Sequence, residues 1–409
     1  MALALLALAL GAFAIGTTEF VIMGLLPQVA DGLSIPISSA GQLVSAYALG
    51  VVVGAPLLTA LSARLPRKAT LTLFLGVFVL GNLGTVLAAD HASVFAARVL
   101  AGLPHGAFLG VATLVAARLV GPAHQSRAVA RVLLGLTVAN IVGVPGGTFL
   151  GQVFGWRAAF VVVAALGVLA AAGILAFVPR MPAPSAGGRG LRRELAALRG
   201  SQVVLGLATA VFGFGGVFAV YSYISVMMTE LAGLDQAAVP GVLALFGVGM
   251  TAGSLVVGPL GDRALRPTIY GALAALAAVL VVFAFAVHAP WSAIALTVLL
   301  GAVGFGVTAP LQVLVMQKAG RAPTLAAASN HSAFNLANAG GAWLGGVGIG
   351  AGLGYSSPAL IGAVLAVVGL GIALVAGRLD RGETAEPHPV AGNAPERAES
   401  GAVSARAGR

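Results

Sequence analysis

Residues 14–27 read AIGTTEFVIMGLLP and belong to an apolar run that begins at Met1. A membrane-crossing helix needs about 20 mainly apolar residues, and this run is long enough. It nevertheless contains Glu19, whose carboxylate costs about 2.5–3.5 kcal/mol at the centre of a bilayer on insertion scales. Because ionisable groups are rarely kept at that depth without a role, Glu19 is the first candidate functional residue.

The rest of the chain shares this apolar character. Hydrophobic residues make up 59% of the 409 residues, charged residues only 8%, and the mean hydropathy is +1.02. Soluble domains carry about 25% charged residues. The composition therefore predicts an integral membrane protein in contact with a lipid bilayer. The net charge of +10 is explained by basic loops beside the membrane, so no nucleic-acid partner is expected. The chain has no cysteine, which excludes disulfides and iron–sulfur clusters.

Apolar runs of spanning length recur twelve times, which predicts an all-α polytopic membrane protein. The predicted spans are 3–28, 40–62, 69–89, 93–119, 128–151, 157–178, 202–227, 239–261, 268–288, 291–316, 324–350 and 356–377. We expect two pseudo-symmetric six-helix bundles, 1–178 and 202–378, joined by a cytoplasmic linker at 179–201. Residues 379–409 are polar and poor in aromatics, which predicts a disordered cytoplasmic tail.

The distribution of positive charge predicts the orientation. With the N-terminus inside, all but two of the 22 lysines and arginines fall in predicted cytoplasmic segments; the exceptions are Arg98 and Arg157. Cytoplasmic loops of membrane proteins carry such an excess. Both termini are therefore expected in the cytoplasm.

The two sets of six spans resemble each other. The segment GAPLLTALSAR (54–64) matches GSLVVGPLGDR (253–263), 199 residues later, and GGTFLG (146–151) resembles GGAWLGG (340–346). Transporters are often built from such repeats. At the 199-residue offset Glu19 corresponds to Phe218, so the acid belongs to one half only.

Arg98 is the only basic residue within a predicted span and is the expected partner of Glu19. Helical rise places Glu19 about 12 Å and Arg98 about 7–8 Å below the same membrane surface, which allows a direct or water-bridged pair. Three roles for Glu19 stay open. It exchanges a proton or cation, forms an ion pair that only fixes helix packing, or faces water without a function.

The segments GTTEFVIMGLLP (16–27) and RVLAGLPHGAF (98–108) resemble motifs of the first and fourth helices of the major facilitator superfamily. The chain to about residue 378 looks most like the twelve-helix drug:proton antiporters, in their arabinose-efflux-permease-like branch. The resemblance implies a location in the bacterial inner membrane and a part for Arg98, together with Glu19, in proton coupling.

Two further segments resemble gating motifs of that family. In GPLGDRALR (258–266), Gly258, Asp262 and Arg263 match an inter-helix loop whose acid can pair across the halves and hold one state closed. The first-half copy, TALSARLPRK (59–68), keeps Arg64 but has alanine in place of the aspartate.

The segment GLTVANIVGVPGGTFLG (135–151) resembles the fifth-helix antiporter motif. Within it Pro145, Gly146 and Gly147 are expected to allow close helix contact and a bend, which is a packing role in either interpretation.

Polar and aromatic side chains at membrane depth are candidates for a substrate cavity. They are Asn140, Phe214, Tyr221, His331, Asn335 and Asn338. Each of them is equally compatible with helix packing. His105, beside Pro104, is a secondary candidate for coupling. The histidines and acids lack metal-ligand spacing and no Walker A motif occurs, so neither a metal nor another cofactor is expected.

The sequence therefore predicts a proton-coupled secondary transporter, a monomer, that exports small amphipathic molecules or drugs by alternating access. An exporter of a sugar or nucleoside-like metabolite is the alternative. A membrane enzyme or sensor is a remote one, because the sequence shows neither clustered catalytic residues at one membrane face nor a soluble output domain.

Overall fold

The computed structural model describes residues 1–62, 64–120, 124–181, 200–319 and 323–385, and within these ranges it contains helices and no strand. Helices satisfy their backbone hydrogen bonds internally, as a bilayer without water requires. Eleven helices of the described ranges are long and apolar enough to cross a membrane. A twelfth, Pro323–Gly350, has 28 residues. The predicted twelve-helix fold is confirmed.

The helices coincide with the twelve predicted spans, and we number them spans one to twelve. Spans one to six are Ala2–Gly24, Ile37–Leu61, Arg67–Leu87, His91–Arg118, Gln125–Phe154 and Trp156–Phe177. Spans seven to twelve are Ser201–Tyr221, Gln236–Arg263, Leu265–Ala286, Pro290–Lys318, Pro323–Gly350 and Ser357–Ala385. A short helix, Leu26–Leu33, follows span one.

Two spans of the first half are irregular at mid-depth. Span four divides into His91–Gly102 and His105–Arg118, and Pro104 precedes the second part. Proline has no backbone N–H to donate, which explains the interruption. Span five contains a π-helix, Ala139–Gly143, just before Pro145. Such π-bulges are frequent at functional sites.

The end of span twelve corrects one prediction. The tail was expected to start at 379, but the helix continues to Ala385. The carboxylate of Asp380 pairs with Arg266 at 2.7 Å and with Lys318, and so joins the beginning of span nine to the end of span ten. These ion pairs fix Asp380 in place, which explains why span twelve continues past residue 378. The remaining tail at 386–409 and most of the predicted linker, 182–199, lie outside the described residues.

The spans form two bundles that meet along two seams. In the first half, span one packs against spans five and six, and span three against spans four and six. In the second half, span seven packs against spans eleven and twelve, and span eight against span ten. Span two meets span eleven along one seam, and span five meets span eight along the other.

The seams are tightest at one end of the molecule. We call the end where the chain begins the Met1 end and the opposite end, where span one stops, the Pro27 end. Toward the Pro27 end, the Ser45 hydroxyl donates to the Ala339 carbonyl at 2.8 Å, and one apolar cluster takes residues from both halves. At the Met1 end, each apolar cluster of the described residues belongs to one half. The molecule is thus closed at the Pro27 end.

Tyr223 completes this closure. It lies between span seven and the short helix Ile224–Val226, and its hydroxyl donates to the Ala342 carbonyl at 2.8 Å. A Cβ atom at Gly41 of span two would overlap that hydroxyl, and one at Gly346 would overlap it as well. The seam between spans two and eleven can therefore close around Tyr223 only because positions 41 and 346 are glycines.

We expect Gly41→Leu to open the Pro27 end. Overpacking of this kind costs about 1–3 kcal/mol, which shifts an equilibrium by roughly tenfold or more. The chain has no cysteine, so Ser45→Cys supplies a unique label at a buried seam position. A membrane-impermeant maleimide added from the Pro27 side should label that thiol about tenfold faster in the Gly41→Leu background.

Gly76→Leu is the matched control, because a Cβ atom at Gly76 meets nothing within 4 Å. It should leave the labelling rate unchanged. Equal labelling rates in the Gly41→Leu and Gly76→Leu backgrounds would show that Tyr223 and Gly41 do not set the closure.

Candidate functional site

Glu19 lies in the interior of the molecule, between the two halves. Its exposed fraction is 9%. The Nδ1 atom of His105, from span four, is 3.9 Å from its Oε2 atom. The side chain of Asn338, from span eleven, lies near the same carboxyl group. The carboxyl group therefore has neighbours from both halves of the protein.

Arg98 is fully buried beside Glu19 and is held by three other spans. Its guanidinium donates to the carbonyl oxygen of Thr18 at 3.0 Å and to the Thr18 hydroxyl at 3.3 Å, and its Nε donates to the Leu43 carbonyl at 3.5 Å. The charge also lies over two rings, at 4.5 Å from the centroid of Tyr47 and 5.5 Å from that of Phe160. Such cation–π contacts stabilise a desolvated guanidinium.

A direct or water-bridged pair of Glu19 and Arg98 was expected, and the direct ion pair is not formed. The ionisable group within 4 Å of Glu19 is His105, whereas Arg98 bonds to Thr18, one residue earlier. Successive helical residues point about 100° apart, so span one presents Thr18 to Arg98 and Glu19 to the interior. Arg98 still exerts an electrostatic attraction on Glu19.

A polar network surrounds this pair of residues. The Tyr47 hydroxyl and the Nδ1 atom of His105 form a hydrogen bond of 3.1 Å. On the other side, the Thr18 hydroxyl donates to Asn82 at 2.6 Å. His105 was a secondary candidate from the sequence. Tyr47, Thr18 and Asn82 were missed. Tyr47 and Asn82 are single polar side chains in apolar runs, and the signal for Thr18 was its place next to Glu19.

Glycines bring spans two and four close enough to form this network. Cβ atoms at Gly50 and Gly54 would overlap the carbonyls of Val99 and Leu103, and one at Gly102 would overlap the carbonyl of Tyr47. Small residues allow such backbone approach between membrane helices. Tyr47 and His105 meet because these positions carry no side chain.

An aromatic wall adjoins Glu19 and consists of Phe20, Phe214, Phe218, Tyr221, Phe246, Phe305 and Phe334. Tyr221 stacks on Phe246 with a centroid distance of 3.8 Å, and Phe20 of span one faces Phe218 at 6.1 Å. The structure thus brings together the predicted Phe214 and Tyr221. Phe218 was missed although it lies four residues from Phe214 on the same span. The other four rings were missed because single aromatics in separate helices have no common spacing.

Amide groups complete the site. The side-chain oxygens of Asn335 and Asn338 in span eleven, and of Asn140 in span five, are buried without a hydrogen-bond partner among the described residues. Buried polar atoms are normally bonded, so these are available to a bound molecule. His331 shares the helical face of Asn335 and Asn338 but is exposed, and it lies toward the Met1 end. No group of three or more His, Asp or Glu in the described ranges is placed to hold a metal ion.

Comparison with known proteins decides the family. The model of the Major Facilitator Superfamily matches residues 8–342 of this chain. The chain belongs to the Major Facilitator Superfamily. The inner membrane transport protein YdhP of Escherichia coli (strain K12) is 42% identical over 375 residues, which cover 91% of this chain and 94% of YdhP. The resemblance seen in the sequence motifs is thereby confirmed.

Two other relatives of this Major Facilitator Superfamily transporter carry informative names. A chloramphenicol resistance protein of Streptomyces lividans is 36% identical over 379 residues, covering 91% of this chain and 96% of that protein. A probable sugar efflux transporter of Pasteurella multocida (strain Pm70) is 30% identical over 368 residues, covering 88% and 89%.

A solved structure shares the fold of this transporter. The crystal structure of a bacterial homologue of the human lysosomal transporter Spinster, in an inward-facing and unoccupied conformation, superposes with a TM-score of 0.72. The superposition covers 92% of this chain and 96% of that one at 16% identity.

The predicted gating residues fall into two groups in the transporter. Gly147 packs against Val21 of span one, next to Pro145, whereas a Cβ atom at Gly146 would meet nothing within 4 Å. Arg64, Asp262 and Arg263 are exposed at the Met1 end, and Gly258 lies in the same helical turn as Asp262. Asp262 forms no ion pair with a described residue in this conformation. Its pairing across the halves stays a prediction for a state closed at the Met1 end.

We expect Arg98→Gln to destabilise the transporter, because it removes a charge-assisted hydrogen bond to the buried Thr18 carbonyl. Hydrogen bonds to charged groups contribute about 1.5–3 kcal/mol. Thermal unfolding in detergent should show a clear fall in melting temperature. Arg127→Gln is the control, because Arg127 is exposed and has no described partner. Equal melting temperatures of the two variants would contradict the anchoring role.

Proposed function

We propose that this transporter exports small amphipathic molecules in exchange for protons by alternating access. The observation that carries the proposal is the position of Glu19. Among the described residues, Glu19 is the carboxyl group that lies between the halves, 3.9 Å from His105, near Asn338 and next to the aromatic wall. Proton and cargo would therefore act on the same junction of the two halves.

Protonation of Glu19 provides the coupling step. A charged carboxylate is attracted by Arg98, and a neutral carboxyl group is not, so the proton changes the relative free energies of the two states. A proton that enters down 100 mV supplies about 2.3 kcal/mol, and each pH unit adds about 1.4 kcal/mol. Cargo binding beside Glu19 would favour loss of the proton, which makes the exchange obligatory.

The aromatic wall and the amide oxygens that have no partner among the described residues support a cargo class. Aromatic rings offer apolar contact area, and the oxygens of Asn335 and Asn338 offer hydrogen-bond acceptors, a combination that suits amphipathic ligands. The name of the chloramphenicol resistance relative supports this assignment. We further propose that the transporter works as a monomer in the bacterial inner membrane with its Met1 end in the cytoplasm, in line with the name of YdhP and the positive charge of that end.

A sugar-like cargo is the second candidate. Three buried amide oxygens without partners would suit hydroxyl groups, and the Pasteurella multocida relative is named a probable sugar efflux transporter. The affinity for such a cargo should depend on the amide side chains more than on the aromatic wall.

We expect Glu19→Gln to abolish energy-dependent export, because glutamine keeps the shape of the side chain but cannot exchange a proton. The test compares chloramphenicol and sugar accumulation in efflux-deficient cells that carry the wild type or the variant at matched membrane levels. Only the wild type should lower accumulation, and an uncoupler should remove the difference. Unimpaired uphill export by Glu19→Gln would refute proton coupling through this residue.

We also expect Phe20→Ala to distinguish the two cargo classes. Aromatic contacts contribute about 0.5–1.5 kcal/mol beyond area burial, so the apparent affinity for chloramphenicol should fall roughly two- to tenfold. Phe285→Ala is the control, since Phe285 is 72% exposed and lies away from the wall. An unchanged affinity in Phe20→Ala, together with a loss in Asn338→Ala, would favour the sugar-like cargo.

A further inference from the structure

We propose that His105 is the proton relay of this transporter, carrying protons between Glu19 and the Met1 end, and that Tyr47 orients its ring. The inference rests on the proposed function, because it assigns a route to the proton that Glu19 exchanges. It starts from a contact of Glu19 that neither the attraction of Arg98 nor the proposed cargo explains. A buried histidine faces the buried carboxyl group more closely than Arg98 does.

The contacts of His105 converge on one ring nitrogen. Its Nδ1 atom lies 3.9 Å from Oε2 of Glu19 and 3.1 Å from the Tyr47 hydroxyl. Because a tyrosine hydroxyl can both donate and accept, Tyr47 holds the ring in place whichever tautomer is present. No described residue bonds to the Nε2 atom, which leaves it to exchange protons with the surroundings.

This arrangement permits a balanced transfer. When Nε2 receives a proton, the ring becomes an imidazolium. The two side chains then move from their 3.9 Å separation to hydrogen-bond distance, the Nδ1–H bond breaks, and its proton bonds to the Oε2 atom of Glu19. Both residues end neutral, the ring now carries its proton on Nε2, and the Tyr47 hydroxyl donates to Nδ1. The reverse sequence discharges Glu19.

The position of His105 along the membrane normal suits a route to the Met1 end. Span four runs from the Pro27 end, so His105 lies seven residues further toward the Met1 end than Arg98. His331 lies about 12 Å inside the Met1 end by helical rise. It is exposed, and it is close enough to His105 for the two rings to interact electrostatically. Water that reaches His331 is therefore near the relay, while Glu19 stays behind it.

Other ionisable groups around the relay come from four spans. Arg98 shares one face of span four with His105, Tyr47 comes from span two, and His331 from span eleven. Tyr221 of span seven faces Glu19. His105 is also the first residue of its helix, where the backbone dipole is positive. The positive charge of Arg98 and the positive end of the helix dipole favour rapid transfer of the proton onward to Glu19, the carboxylate of this group.

The test measures the protonation of Glu19 directly, without a cargo. The full-length transporter in lipid vesicles is subjected to a rapid drop in pH, and the infrared carbonyl band of its protonated carboxyl group is followed in time. Glu19→Gln identifies the band by its loss. A positioned proton-transfer group contributes on the order of 100-fold or more, so His105→Asn should slow the appearance of the band by about that factor while the final amplitude is kept.

Further variants separate a relay from a structural role. Tyr47→Phe removes only the hydroxyl and should slow the band by a smaller factor. His288→Asn, an exposed histidine at the Pro27 end, should not change the rate. An unchanged rate in His105→Asn, or a band that is absent from the wild type at every pH, would overturn the proposal. If His105→Asn does not fold, His105→Gln takes its place.

The outcomes also separate the relay from the proposed function. In one outcome, His105→Asn slows the band, but the wild type exports neither chloramphenicol nor sugars when a pH gradient is applied. This outcome would refute proton-coupled export of these cargoes but keep the relay. Proton-driven export that is lost in Glu19→Gln but proceeds at the full rate in His105→Asn would keep the function and refute the relay.

Discussion

The burial of one carboxyl group is the constraint on which the rest of this transporter depends. A charge in a medium without water is stable only if fixed dipoles and opposite charges replace its hydration. Arg98 supplies the opposite charge, and Thr18, Tyr47 and the aromatic rings keep Arg98 in place. That support requires the backbones of spans two and four to be in direct contact, which in turn requires glycines where the two spans cross.

The same carboxyl group links the two halves. Its neighbours come from span four in the first bundle and from span eleven in the second, and the aromatic wall crosses the boundary beside it. Toward the Pro27 end the seam is sealed by Tyr223 against small residues, whereas the apolar cores of the Met1 end are separate. A site at the junction is therefore shielded from one side of the membrane and reachable from the other.

The sequence was sufficient for the fold, and it drew attention to Glu19. Twelve apolar runs predict the spans because helices in a bilayer need a fixed apolar length, and Glu19 stood out because nothing around it is charged. The partner of Glu19 was less predictable, since depth alone does not tell which side of span one faces Arg98. Tyr47 and the rings of the aromatic wall outside span seven were out of reach because they depend on how separate helices are rotated. The end of span twelve was missed because Asp380 is held by Arg266 and Lys318, far away in sequence.

The glycines between spans two and four have a mechanical consequence. Where backbone touches backbone at Gly50, Gly54 and Gly102, no flexible side chain remains to absorb a displacement. The first bundle is therefore stiff around its ionisable residues, and deformation is confined to the two seams. A stiff unit with soft boundaries behaves as a lever, so a change of a few tenths of an ångström beside Glu19 is magnified at the far end of the helices.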